Sequence, residues 1–204
     1  VSPNGTRVYV SHFASDTVSV IDTATNAVVA TVDVEGNPFG LAVSPDGSRV
    51  YVANSTSNSV AVIDTATNTV VATASVGAPG GVAVSPDGSR IYVPNLTADN
   101  VAVINTATNT QVTTLAVGEN PVSVAISPDG SRVYVVSFTD NNVSVIDTTT
   151  NTVVTTVAVG VVSDTAYSVT VSPDGSRVYV TNGGDDSVSV IDTATNSVVA
   201  TVAV

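Results

Sequence analysis

The chain has 204 residues, with 17 Asp and Glu against five Arg and no Lys, for a formal net charge of −12. That balance argues against a nucleic-acid binder, which needs Lys and Arg to displace counterions from phosphate, and against adhesion to an anionic membrane. Cys, Met and Trp are absent, so no disulfide, thiolate nucleophile or Cys-ligated zinc site can form, and no apolar run approaches the ~18 residues of a membrane span.

The chain opens on Ser2-Pro3-Asn4-Gly5-Thr6-Arg7. Close copies begin at Ser44, Ser85, Ser127 and Ser172, at spacings of 42, 41, 42 and 45 residues. Each copy runs on into Val/Ile-Tyr-Val. Fifteen residues after each Arg stands Asp22, Asp64, Asn105, Asp147 or Asp192, opening a Thr-rich turn that ends in Asn. A repeat of this length is the signature of a repeat architecture. With no linker or composition shift, residues 1–204 read as one domain of five units, approximately 1–37, 38–78, 79–120, 121–165 and 166–204.

Unit one begins with its second strand, Arg7 to Ser11. Unit two shows all four strands. Gly40 to Val43 is strand one, followed by the Asp46-Gly47 turn, a pair that favours φ > 0 and a tight hairpin. Strand two is Arg49 to Ala53, and the loop Asn54 to Ser59 leads to strand three, Val60 to Asp64. The turn Thr65 to Asn68 leads to strand four, Thr69 to Val76. Val, Ile, Tyr and Thr dominate, as pleated packing prefers. The inner strands of later units are Gly81 to Val84, Val122 to Ile126 and Ser168 to Val171, and Ser197 to Val204 is the last fourth strand. Unit one has no inner strand, which leaves an open edge along Arg7 to Ser11 suited to self-association.

Strands one to three are apolar at both alternations, as in Val60-Ala61-Val62-Ile63, so both sheet faces are expected to be covered. Strand four carries more Thr and suits an outer rim. Four-stranded sheets repeating every 41 to 45 residues fit the blades of a β-propeller. The fold class is all-β: a five-repeat β-propeller whose first blade lacks its inner strand.

The segments Ser172 to Asn182 (Ser-Pro-Asp-Gly-Ser-Arg-Val-Tyr-Val-Thr-Asn) and Ser187 to Asn196 (Ser-Val-Ser-Val-Ile-Asp-Thr-Ala-Thr-Asn) resemble the YVTN β-propeller repeat. The resemblance covers essentially the whole chain. The namesake tetrapeptide is complete at Tyr179 to Asn182, close at Tyr51 to Asn54 and Tyr92 to Asn95, and departs at Tyr9 to His12 and Tyr134 to Ser137. The resemblance implies an extracytoplasmic or surface-layer protein. A few related propellers are lyases or bind redox cofactors.

The residues themselves offer little catalytic chemistry. The five Arg share one repeat position, and antiparallel pairing sets Arg7, Arg49, Arg132 and Arg177 beside Asp22, Asp64, Asp147 and Asp192 as rim ion pairs worth ~0–1 kcal/mol each. Unit three carries Asn105 in place of the aspartate. Asn182-Gly183-Gly184-Asp185-Asp186 has residue types that suit calcium but matches no recognised loop pattern. The expectation is no metal and no cofactor. His12, the only histidine, ends a strand two where other units have Asn54, Asn95 or Asn182. Phe13 and Phe138 follow strand two, and Phe39 precedes a strand one. By topology these loops share one face, where the units differ most and where the longest crossing lies, Gly160 to Tyr167 with Val161 and Val162. Loops on a rigid scaffold are the usual place for binding.

The site expectation is therefore partner binding by His12, Phe13, Phe39, Asn54, Asn95, Phe138 and Asn182. The functional expectation is a non-catalytic, extracytoplasmic scaffold or binding module for a protein or glycan, with no nucleic acid and no membrane insertion. The alternative is a lyase-type or other propeller enzyme using the loop face and central opening.

Overall fold

A computed structural model gives the structure of the chain and describes residues 1–160 and 166–204. Among the described residues every regular element is a strand, and no helix is long and apolar enough to cross a membrane. The first sheet has three strands, β1 (Arg7–His12), β2 (Thr17–Asp22) and β3 (Ala27–Asp33). The second adds an inner strand to that pattern: β4 (Pro38–Val43), β5 (Arg49–Asn54), β6 (Ser59–Asp64) and β7 (Thr69–Ser75). The third is β8 (Ala83–Val84), β9 (Arg90–Asn95), β10 (Asn100–Asn105) and β11 (Thr110–Ala116). The fourth is β12 (Pro121–Ile126), β13 (Arg132–Ser137), β14 (Asn142–Asp147) and β15 (Thr152–Ala158). The fifth is β16 (Ala166–Val171), β17 (Arg177–Asn182), β18 (Ser187–Asp192) and β19 (Ser197–Ala203). These are the repeated antiparallel sheets of a β-propeller, and the first lacks its inner strand as expected.

The turns follow from their residues. At the first hairpin of the second sheet, Asp46 Oδ1 accepts from the Ser44 hydroxyl at 2.6 Å and the Ser48 amide at 3.0 Å. Ser44 Oγ in turn accepts the Arg49 amide at 2.9 Å. Gly47 sits at φ 74°, where a side chain would be strained. At the opposite end Asp64 Oδ1 accepts the amides of Ala66 and Thr67, both at 3.0 Å. The turn closes on Asn68 at φ 53°, a left-handed conformation that Asn tolerates better than most residues. The outer strands β3, β7, β15 and β19 carry a bulge: the ladder slips between Val62 and Ile63, leaving Val71 without an opposite residue, and likewise at Val29, Val154 and Val199.

Two expectations are corrected. The inner strand expected at Gly81 to Val84 shrinks to Ala83–Val84. Here the glycine backbone presses on the second sheet: a Cβ added at Gly40 would lie 2.8 Å from Gly81 Cα and 3.2 Å from the Gly80 carbonyl oxygen. The other correction concerns cover. β5, β9 and β13 are buried along nearly their whole length, whereas β17 is buried at alternate positions only and β1 at Tyr9 alone. The apolar sequence of a strand is the same in both situations, and the presence of a neighbouring sheet decides its exposure.

The chain forms two compact units, residues 1–93 with 103–113, and residues 94–102 with 114–204. In the first, Tyr9, Val18, Val20 and Val32 of the first sheet pack on Val50, Val52 and Ile63 of the second. In the second, Tyr134, Val143, Val145 and Val157 of the fourth sheet pack on Val178, Val180 and Ile191 of the fifth. Each joint sets the tyrosine-bearing face of one sheet on the Val/Ile face of the next.

Candidate functional site

The loop-face residues separate into exposed and buried groups. His12 ends β1 and is exposed, with Nε2 2.8 Å from Ser19 Oγ. Asn182 makes the equivalent contact in the fifth sheet, donating through Nδ2 to Ser189 Oγ at 2.9 Å and Ser187 Oγ at 3.2 Å. The His12–Ser19 pair is thus a cross-strand tie in which imidazole replaces amide.

Asn54, Asn95 and Asn182, expected at an exposed loop, are instead the buried last residues of β5, β9 and β17. The strands extend one residue further than the apolar run, and the pleat turns these side chains into the sheet interior. Asn95 donates to Asn100 Oδ1 at 2.6 Å. Asn54 is 0% exposed, and among the described residues its amide finds no hydrogen-bonding partner; the same holds for Ser137 Oγ and Asn182 Oδ1.

The phenylalanines are where the loops would place them. Phe13 and Phe39 are 53% and 59% exposed, and the first compact unit holds them by their backbones. Asn37, at φ 53°, donates through Nδ2 to the Phe13 carbonyl at 2.8 Å, and its own amide donates to Asp16 Oδ1 at 2.7 Å. Thr56 Oγ1 donates to Asn37 Oδ1 at 2.8 Å, and Ser11 Oγ donates to the Phe39 carbonyl at 2.9 Å. In the second unit, the Phe138 amide donates to the Asn120 carbonyl at 2.9 Å. The Phe138 ring meets Tyr167 edge-on, with centroids 5.0 Å apart and planes at 67°. Val161, Val162 and Asp164 of the long crossing lie outside the described residues.

Sequence reasoning missed what the loop acids do. Asp16, Asp99 and Asp186 take left-handed φ of 55°, 50° and 46°. Asp16 and Asp99 accept the amides of Asn37 and Asn120 in the following crossing, and Asp140 accepts the amide of Glu119 in the preceding one. They fasten the loop of a sheet to a crossing beside it, the one that leaves the sheet for Asp16 and Asp99 and the one that enters it for Asp140. The signal was present in the recurrence of Asp or Asn at one loop position, the residues that best tolerate this conformation. Among the described residues no three His, Asp or Glu side chains group as a metal set.

The opposite ends of the sheets carry the ion pairs. Arg7 pairs with Asp22 and Arg49 with Asp64, while Arg132–Asp147 and Arg177–Asp192 lie at 2.5 Å. In the third sheet Asn105 keeps the turn bonds to Ala107 and Thr108 without the charge. Asp46, Asp87 and Asp174 are held at a pKa of about 2, first by the hydroxyls of Ser44, Ser85 and Ser172 and then by the amide two residues on. Clefts of about 310 to 340 Å³ recur at these corners. One is bounded by Pro3, Arg7, Tyr9, Asp46 and Gly47, and another by Pro128, Arg132, Tyr134, Asp174 and Gly175. Their recurrence at equivalent positions marks them as a product of sheet stacking.

Comparison with known proteins agrees with this architecture. No curated protein matches the chain. Kuenenia stuttgartiensis hydrazine synthase is similar in structure, with TM-score 0.86 and 28% identity over 95% of this chain. The chain spans 61% of that protein's chain. A functionally unknown protein from Desulfotomaculum acetoxidans DSM 771 shares the fold at TM-score 0.85 and 20% identity, over 98% of this chain and 68% of that one. The family model described as "Lactonase, 7-bladed beta-propeller" matches residues 1–75 and 81–203, and the chain belongs to that family.

Proposed function

We propose that the protein is a non-catalytic binding module, secreted or displayed at the cell surface, that engages a protein or glycan through aromatic side chains at the loop ends of its sheets. The observation that carries this reading is the exposure of Phe13 and Phe39 on a backbone tied down through Asn37, Asp16 and Ser11. A large apolar ring held in water by a fixed backbone costs little ordering entropy on binding, and such rings dominate the energetics of interfaces. Half-buried Phe138, in edge contact with the exposed Tyr167, offers a second aromatic group. The extracytoplasmic setting rests on the resemblance of the repeats to surface-layer propellers. Residues 1–204 act as one domain in this reading.

The test is a glycan array and a cell-surface protein panel probed with the native chain, with Phe13→Ala/Phe39→Ala and with Phe138→Ala/Tyr167→Ala. Binding lost in either double variant, with the melting temperature held, supports the module. Binding unchanged in both variants overturns it.

The name of the matched family and that of the hydrazine synthase neighbour favour a second reading, an enzyme acting at the loop ends with His12. Hydrolysis of simple lactones by the native chain, lost in His12→Ala, would establish it in place of the first.

A further inference from the structure

Four Asn-x-Ser/Thr triplets occur in the sequence, at Asn4, Asn54, Asn95 and Asn142. The triplet is the acceptor sequence for N-linked glycans, and a folded chain can carry one only where the asparagine reaches solvent. The fold closes three of the four. Asn54 and Asn95 are 0% and 3% exposed at the ends of β5 and β9. Asn142 opens β14, which β13 and β15 pair on both sides, and the hydroxyl residue of its triplet, Ser144, is buried.

Asn4 is exposed, in the corner that precedes β1. The exposure belongs to the corner itself, because Asp46, Asp87, Asp129 and Asp174 hold the same place in the other sheets and are exposed too. The corners use one side-chain oxygen alike. Asn4 Oδ1 accepts from the Ser2 hydroxyl at 2.8 Å and the Thr6 amide at 3.1 Å, as Asp46 Oδ1 accepts from Ser44 and Ser48. They part at the second atom. The aspartates offer Oδ2 to the hydroxyls of Ser48, Ser89, Ser131 and Ser176 at 2.8 to 2.9 Å. At Asn4 the Thr6 hydroxyl donates to Oδ1 instead, at 2.9 Å. Nδ2, the atom that would carry a glycan, has no hydrogen-bonding partner among the described residues.

We propose that Asn4 is the acceptor of an N-linked oligosaccharide. In the transfer Nδ2 bonds to the anomeric carbon of a lipid-pyrophosphate-linked oligosaccharide. The bond from that carbon to the pyrophosphate oxygen breaks, its electron pair stays on the oxygen, and the proton lost by Nδ2 leaves with the lipid pyrophosphate. The corner survives the attachment, because each hydrogen bond of the Asn4 side chain that closes it is made by Oδ1. β1 separates Asn4 from Phe13, and its six residues, at ~3.3 Å each, set the glycan about 20 Å from the aromatic loop end. The proposal rests on the extracytoplasmic setting inferred above, since N-linked glycans belong to secreted chains.

The test gives the purified, folded native chain to an oligosaccharyltransferase that accepts Asn-x-Thr, with its lipid-linked oligosaccharide, and reads intact mass and the modified peptide. One oligosaccharide per chain is expected, on the peptide that contains Asn4. Asn4→Asp, which gives this corner the residue of the other four, is expected to hold the melting temperature and gain no mass. The double variant Asp46→Asn/Ser48→Thr copies the first corner into the second sheet and is expected to gain a second oligosaccharide. A native chain that gains no mass would overturn the proposal, as would a gain that persists in Asn4→Asp or a double variant that takes only one. The chain isolated from its own cells separates the site from the setting. An oligosaccharide on Asn4 there supports both, whereas transfer in vitro with none in cells supports the acceptor and contradicts the extracytoplasmic setting.

Discussion

The strands Arg7–His12 and Arg49–Asn54 differ only in their last two side chains, Ser11-His12 against Ala53-Asn54. Both pair with a following strand in the same register, Arg opposite Asp and Tyr opposite Val. Yet Val10 stands partly in water and Val52 does not, and Ile63 is fully buried where Ile21 is not. β4 flanks β5 and the first sheet covers its Val52 face. β1 is an edge strand, and its Val10 face is uncovered. The pattern Arg-Val-Tyr-Val is enough to specify a strand and its register. Burial, and hence most of the stabilising energy, comes from what the neighbouring sheet brings.

The largest way to break this comparison is to remove the same side chain from both sheets. Ile63→Ala is expected to cost ~2–5 kcal/mol, the range for emptying a buried aliphatic site, and Ile21→Ala less than half as much. Urea denaturation of the two variants measures both, and equal losses would mean that the first sheet is covered as well as the second.

The next effect concerns the contact that shortens β8. Gly40→Ala drives a methyl into the Gly81 backbone at 2.8 Å and is expected to cost ~1–3 kcal/mol, because backbone cannot move aside as a flexible side chain can. Gly5→Ala meets no atom but must hold φ 73°, at ~1–2 kcal/mol from the left-handed conformation alone. A melting-temperature comparison that ranked Gly5→Ala as the more damaging would contradict the crowding at Gly40.

Acid sharpens the comparison at the corners. The first sheet's corner is tied by Asn4, which accepts from Ser2 Oγ and from the Thr6 amide and does not titrate. The second is tied by Asp46, whose pKa is drawn from 3.8 to about 2 by the Ser44 hydroxyl and then the Ser48 amide. A carboxylate with a depressed folded pKa contributes stability above its unfolded pKa and loses it as pH falls through the folded one. The Ser48 amide is therefore expected to exchange faster as pH drops from about 4 to about 2, relative to its intrinsic rate, while the Thr6 amide does not. Asp46→Asn should abolish the difference.

The smallest effect separates charge from turn bonding. Asp64→Asn keeps an acceptor for the Ala66 and Thr67 amides, as Asn105 does in the third sheet, and loses only the exposed pair with Arg49. It is expected to cost under ~1 kcal/mol. Asp64→Ala removes the turn bonds as well and should cost more in the same denaturation assay.

The hairpins, the ion pairs and the three-stranded first sheet were legible in the sequence, because each depends on residues close along the chain or at a fixed repeat spacing. The burial of Asn54, Asn95 and Asn182 was not. A polar residue after an apolar run reads as a loop, and only the sheet stacked beside it turns it into a strand end. The bonding of Asp16 and Asp99 to the next crossing was hidden for the same reason, since its partner lies 21 residues away. The aromatic loop residues were legible as candidates because Phe is rare here and falls where the repeats diverge.

Hydrogen–deuterium exchange of the native chain tests the central claim most directly. Neighbour-dependent burial predicts strong protection across β5 and β6 and weaker protection across β1 and β2. Protection of β1 equal to that of β5 would contradict it.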